Sequence, residues 1–382
     1  MAGLVLLGLR VVLACGGDIM RILILGGSYD HPGGVEAFCE RSKEALESRY
    51  DIRVRHITTN TAYLSLKKLP KYFRGVADLI ACRKEKPDCV WLQYVNLPDL
   101  SYILIARVLG FRVMVTPHLG SNWKSQSRPL LRKLSGAILS KAHMIALIST
   151  TQEQEVNLPD SVPRTLIRTF LPQAILTASP AQTDDRPPVI QLIHSSRLSE
   201  GKGSFLVIEI AAKLKEAGYP FYLRIAGGAD QETFARLRGM ISDHGLADHV
   251  EVLGRLGVDA HAAHLRSSDL LVHPSRVDSY PLIVLEAMAC SALTVCMELA
   301  GARNMVENYG GHIVSQENAV TEATEWILNQ TLSDIRNAAQ RASIGVRRDY
   351  DWDNCATALE AALRECVGKG LLKSSVIKAC AE

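Results

Sequence analysis

The chain has 382 residues, 47% of them hydrophobic and 22% charged, which fits an ordered globular protein of about two domains and excludes a disordered or low-complexity one. Its formal net charge of +3 hides an asymmetry, because residues 20–175 carry +9 and residues 176–382 carry −6. Nine cysteines, never spaced Cys-x-x-Cys, signal neither a disulfide framework nor a zinc site and read as buried free thiols in a reducing cytosol.

Residues 1–19 (MAGLVLLGLRVVLACGGDI) are apolar, but Arg10 interrupts the run, which falls short of the ~20 residues that a spanning helix needs. A second methionine, Met20, opens MRILILGGS as a first strand, so 1–19 read as a start placed too early or an extension rather than an anchor. Further strands are expected at DIRVRHI, CVWLQY, FRVMVTP and MIALIST, with helical patterns such as 35–48 and 99–109 between them. The positive charge concentrates between 53 and 133, with 15 basic against 4 acidic residues, including KKLPKYFRG and RPLLRK. That face suits anionic lipid headgroups or a phosphate-bearing acceptor. Nucleic acid is not expected, since no aromatic platform or recognition motif accompanies the charge.

The stretch TASPAQTDDRPPV (177–189) reads as a linker. Beyond it strands are expected at VIQLIHSS, FYLRIAGG, VEVLGR, DLLVHPS and LTVCM, again with helices between. Two strand–helix series make an α/β protein of two doubly wound, Rossmann-like domains, 20–180 and 181–348, followed by a helical segment over 349–382. Ligands of open parallel sheets sit beyond the carboxyl ends of strands, so the two domains would face each other across a cleft.

Three strand-end loops carry the polar residues. In GGSYDHPGGVEAF, the pair Gly33-Gly34 precedes a helix from about Val35, where free amides favour a phosphate; the spacing matches neither a dinucleotide fingerprint nor a P-loop. In HSSRLSEGKGS, Arg197 and Lys202 stand on a loop before a helix over about 204–217; by itself this reads either as a solvated loop or as a fork and a point charge that can neutralise a diphosphate. In RVDSYPLIVLEAMAC, Asp278 precedes a helix begun at Pro281 and Glu286 lies in its second turn. A buried Glu286 needs donors, which ligand hydroxyls or a protein cation could supply. The two carboxylates are too far apart for the ~5–5.5 Å pairing of a retaining glycosidase and read as two grips on one ligand.

In order and spacing, Gly33-Gly34-Val35-Glu36, His118 in TPHLGSN, SRLSEGKG, RIAGG and DSYPLIVLE resemble the retaining nucleotide-sugar glycosyltransferases of the GT-B fold, in the GT4-type group, over Met20 to about Trp352. The resemblance implies that Arg197 and Lys202 hold the donor diphosphate and Gly34 approaches it from the opposite domain. It implies that Glu286 binds the ribose and that Asp278, with the amides near Ser279 and Tyr280, holds the donor sugar, with His118 near the reaction centre. It also implies no metal, no bound cofactor, a hydroxyl acceptor and a terminal helix crossing back, with Trp352 as anchor. The basic first domain adds the expectation of an acceptor that is lipid-linked or otherwise membrane-associated, with work at the cytoplasmic membrane face in surface polysaccharide or glycolipid assembly. The Asp-x-Asp of DYDWD (349–353) lies after all the strands and reads as solvated surface. Asp278 and Asn304 stand where the pattern usually has Glu, and Ser291 where it has Gly. The alternatives are a degenerate nucleotide-sugar binder or scaffold, and a nucleotide-sugar epimerase.

Overall fold

The computed structural model describes residues 19–368 except 29–32, 50, 62–63, 122 and 179–185. The apolar run over 1–18 and most of the expected linker therefore lie outside the described residues. Among the described residues twelve strands form two sheets, all of whose pairings are parallel.

The first sheet runs β2-β1-β3-β4-β5-β6, built from β1 (Met20–Leu25), β2 (Ile52–Ile57), β3 (Cys89–Tyr94), β4 (Arg112–Pro117), β5 (Met144–Leu147) and β6 (Arg164–Leu166). The second runs β12-β11-β10-β7-β8-β9, from β7 (Ile190–Ser195), β8 (Phe221–Ala226), β9 (Val250–Gly254), β10 (Leu270–His273), β11 (Leu293–Met297) and β12 (His312–Val314). Central strands are buried along their whole length, as CVWLQY and IQLIHS show, because helices cover both faces. The three-residue edge strands β6 and β12 escape sequence reading, since neither is long enough to show a period.

The helices of the first series are α1 (Gly34–Glu47), α2 (Leu69–Ala81), α3 (Leu100–Val108), α4 (Lys124–Ser127), α5 (Pro129–Leu139), α6 (Gln152–Glu155) and α7 (Gln173–Leu176). The second series has α8 (Ser204–Glu216), α9 (Gln231–Asp243), α10 (Val258–Arg266), α11 (Leu282–Ala289), α12 (Ala300–Tyr309), α13 (Ala319–Leu328) and α14 (Leu332–Asp349). In α1 the apolar spacing Phe38, Cys39, Ala45 and Leu46 sets a buried stripe against the sheet. Pro281 stands just outside α11 rather than in its first turn.

The last described helix, α15 (Trp352–Val367), returns to the first sheet. Its Cys355, Leu359 and Leu363 join the core of Phe38, Trp91 and Met114. Trp352 packs edge-on against Phe170 and donates its indole N–H to the Leu171 carbonyl at 2.7 Å. Asp351 caps the helix through the Asn354 N–H, which gives the second half of DYDWD a local backbone role.

The second domain is pinned at its start by Arg186, whose guanidinium bonds Asp269 at 3.0 Å and the carbonyls of Arg266 and Ser291. Arg336 of α14 takes the same buried carboxylate at 2.9 Å. Ser291 has φ +59°, which explains why glycine is usual at this position, and its hydroxyl is buried without a partner among the described residues. Ser291→Gly is therefore expected to stabilise the protein by about 1 kcal/mol, read as a raised urea midpoint with unchanged slope.

Candidate active site

The carboxyl ends of both sheets face one cleft with two joined lobes, of about 420 and 930 Å³. Gly34, Arg197, Lys202, Asp278 and Tyr280 line both. The smaller lobe adds Gly27, Gly33, Ser196 and His273; the larger adds Phe38, His118, Trp123 and Ser279. Each sheet contributes where its strand order reverses, after β1 and β3 in one and after β7 and β10 in the other.

Glu36 shapes the glycine loop. Its two oxygens accept the N–H groups of Ser28 at 2.7 Å and Gly33 at 2.8 Å, so it is spent on the backbone and leaves the amides of the α1 start for a ligand. Gly34 faces Leu282 of α11 across the cleft. Buried Asp99 does the same for the loop after β3, accepting from the N–H groups of Val95 at 2.9 Å and Asn96 at 2.7 Å.

On the opposite wall, Arg197 is exposed and its guanidinium has no partner among the described residues. Lys202 contacts Asp278 directly, and His273 holds the second Asp278 oxygen at 2.8 Å. Burial alone would raise the Asp278 pKa, but the His273 hydrogen bond and charge and the Lys202 ammonium outweigh it and hold the carboxyl well below the usual range. Gly203, next to Lys202, has φ +75°, and a Cβ there would stand 2.2 Å from the Pro274 carbonyl oxygen. The loops after β7 and β10 touch at that point, and Arg276 N–H closes onto Gly201 O at 2.9 Å.

His118, at the end of β4, donates from Nε2 to Gln93 Oε1 at 2.9 Å and packs edge-on against Phe38. Burial pushes its pKa down to about 3, so it is neutral and turns Nδ1 into an acceptor. Ser279 Oγ donates to the His118 carbonyl at 3.4 Å across the domain boundary. Tyr280 bonds the Tyr350 hydroxyl at 2.6 Å.

Glu286 is placed differently from the other residues read from the sequence. It is 8% exposed and pairs with Arg41 of α1 at 3.1 Å, while Arg41 also donates to the Phe170 carbonyl at 3.0 Å. The structure thus brings Gly33, Gly34, His118, Arg197, Lys202, Asp278, Ser279 and Tyr280 to the cleft walls, and sets Glu286 behind them in an interdomain ion pair. Arg41, His273 and Gln93 are missed by sequence reading; a histidine closing the buried strand DLLVH was the one available signal. Among the described residues no group of three His, Cys, Asp or Glu could hold a metal ion, and no helix is long and apolar enough to cross a membrane.

Two family profiles match, "Glycosyl transferase 4-like domain" over residues 1–173 and "Glycosyl transferases group 1" over 176–344. A curated relative, the phosphatidylinositol N-acetylglucosaminyltransferase GPI3 subunit of Saccharomyces cerevisiae, is 23% identical over 66% of this chain and 58% of its own. The chain therefore matches little more than half the length of that relative. A glycosyltransferase structure from Rickettsia africae superposes with TM-score 0.71 at 18% identity, covering 92% of this chain and 99% of that one. Anabaena HepE in complex with UDP-glucose superposes with TM-score 0.66 at 17% identity, covering 91% and 100%. These structures share the two-domain GT-B fold.

The neutral imidazoles make stability depend on pH. His118 is held near 3 and His194 near 4, each by burial, whereas both take a proton near 6.5 once unfolded. Their contribution is whole above pH 6.5 and declines as pH falls toward 4, by up to about 1.4 kcal/mol per pH unit for each. Urea midpoints measured at pH 7, 6 and 5 should fall in that order, with a shallower slope in His118→Gln; equal slopes would contradict the assignment.

Proposed function

This chain belongs to the GT4-type, group 1 glycosyl transferases, and on that premise we propose that it moves a sugar from a nucleoside diphosphate to a hydroxyl acceptor with retention of anomeric configuration. The observation that carries the reading is the unpaired Arg197 beside Lys202, facing the Gly33-Gly34 start of α1 across one cleft. Two cations and a set of helix amides neutralise a departing diphosphate, which is where charge develops in the reaction. HepE binds UDP-glucose in the same fold, which supports a UDP-sugar donor.

In the proposed step the bond from the anomeric carbon to the phosphate oxygen breaks, its electron pair leaving with the diphosphate. The acceptor oxygen bonds the same face of that carbon, and its proton passes to the departing phosphate oxygen. No side-chain nucleophile enters. Arg197 and Lys202 supply the charge stabilisation that a divalent ion supplies elsewhere, so turnover needs no metal. Asp278 holds Lys202 in position and offers its lone pairs to the sugar, His118 accepts from a sugar hydroxyl at Nδ1, and Glu286, set behind the cleft wall, takes a ribose hydroxyl when its ion pair with Arg41 opens. Most of the rate gain is positioning and leaving-group stabilisation.

The acceptor is membrane-associated in this proposal, and the protein works peripherally at a cytoplasmic membrane face in glycolipid or surface polysaccharide assembly. Leu66 at 85% and Phe73 at 61% exposure stand beside Lys67, Lys68, Lys71 and Arg74, and Leu130 and Leu134 beside Arg132 and Lys133. Exposed apolar side chains among cations suit the headgroup boundary of anionic lipid. The yeast relative's name, with its phosphatidylinositol acceptor, supports the same class.

Thermal-shift titration with UDP-, GDP- and ADP-sugars tests the donor. One nucleotide class should stabilise by about 2.7 kcal/mol at a hundredfold excess over Kd, and Arg197→Ala/Lys202→Ala should abolish the shift; no shift with any donor would move the reading to a non-catalytic protein. Flotation with vesicles tests the membrane face: capture should require anionic lipid and drop severalfold in Leu66→Glu/Phe73→Glu, and equal capture on neutral vesicles would remove that part.

A further inference from the structure

Beside the cleft lies a separate polar pocket of about 570 Å³, which shares Tyr280 and Ile148 with the larger lobe but not Arg197, Lys202 or Asp278. It is built from the carboxyl ends of β5 and β6, which bring Ser149, Thr150 and Arg168, and from α12 and α14 of the second domain. Three guanidinium groups line it, those of Arg168, Arg341 and Arg348, against one carboxylate, Asp349.

That carboxylate is already used. Arg348 bonds it at 2.8 Å and the Tyr309 hydroxyl donates to its other oxygen at 2.8 Å. Arg168 is held over the Tyr350 ring, 5.3 Å from its centroid, which fixes its direction without neutralising it. Arg341 has no hydrogen-bond or ion-pair partner among the described residues. The pocket keeps an excess of two positive charges in a concave, hydroxyl-lined space of ligand size. Asn304 also lines it, with its carbonyl accepting from Asn308 at 2.8 Å. An acidic side chain at 304, usual in the family pattern, would add a second carboxylate and halve that excess.

We propose that this pocket is a second anion site, distinct from the diphosphate position, which takes a phosphate or phosphate monoester. Guanidinium forks match phosphate oxygens in pairs, and Ser149 and Thr150 add hydroxyl donors. Tyr280, common to both cavities and tied to Tyr350, places the bound anion next to the cleft. The inference stands on the arginine geometry and does not need the transferase reading.

The test is calorimetric titration of inorganic phosphate, and separately of a hexose phosphate, into the full chain saturated with UDP so that the cleft is filled. Saturable binding is expected, at least tenfold weaker in Arg341→Ala, whose exposed side chain can be removed without unfolding the protein, and weaker again in Asn304→Glu. Absence of saturable binding, or binding unchanged in both variants, overturns the site. Repeating the titration without UDP, in Arg197→Ala/Lys202→Ala, separates the sources: tightening by UDP marks the phosphate of an acceptor, and equal affinity marks a free phosphate ligand. UDP that binds while phosphate does not would sink this proposal alone, and the reverse would sink the donor reading alone.

Discussion

The contact between the Lys202 ammonium and the Asp278 carboxylate organises the second domain's side of the cleft. It joins the loop after β7 to the loop after β10, and everything near it is arranged to let those loops meet. Gly203 lacks the Cβ that would strike Pro274, Arg276 closes onto Gly201, and His273 orients the carboxylate from the strand end. A partly buried ion pair is weak evidence of stability in itself, since desolvation offsets most of the attraction. Its use here is geometric: it fixes a long flexible lysine at one point, so that a ligand phosphate meets a cation already in position.

The first domain answers with backbone rather than charge. Glu36 and Asp99 each accept two N–H groups of their own loops, which fixes two strand-end turns that line the cleft. The two walls are complementary, one offering partial positive charge from amides and the other full charge from side chains. Between them, the Arg41–Glu286 pair and the Ser279–His118 contact tie the domains together.

Most of this was legible in the sequence where physics is local. Runs such as CVWLQY and LTVCM appear as strands at the same residues, since unbroken β-branched and apolar stretches between turn signals admit little else. The loops bearing Gly33, Arg197 and Asp278 could be placed because they follow those strands. What could not be read depends on residues distant in the chain. Nothing near Glu286 announces Arg41, 245 positions away, as its partner, and nothing near Arg168 announces α14. The sequence offers Asp278 as a grip on a ligand but does not announce its protein partners Lys202 and His273, which become neighbours only once the sheet is formed. Ser291, by contrast, showed its meaning once φ was known: a departure from glycine marks a left-handed residue.

The return of α15 to the first sheet bears on how the chain is made. Cys355, Leu359 and Leu363 complete a core whose other members begin at Met20, so the first domain cannot close when its own strands have emerged. At synthesis rates of about 5–20 residues per second, roughly ten to forty seconds separate β6, the last strand of the first sheet, from the helix that packs on β3 and β4. During that interval α1 already covers part of this sheet face, and the part that Cys355, Leu359 and Leu363 cover stays open while the second domain is made. The order of assembly is therefore inverted with respect to the order of translation, and a helix made after the second domain is the one that seals the first.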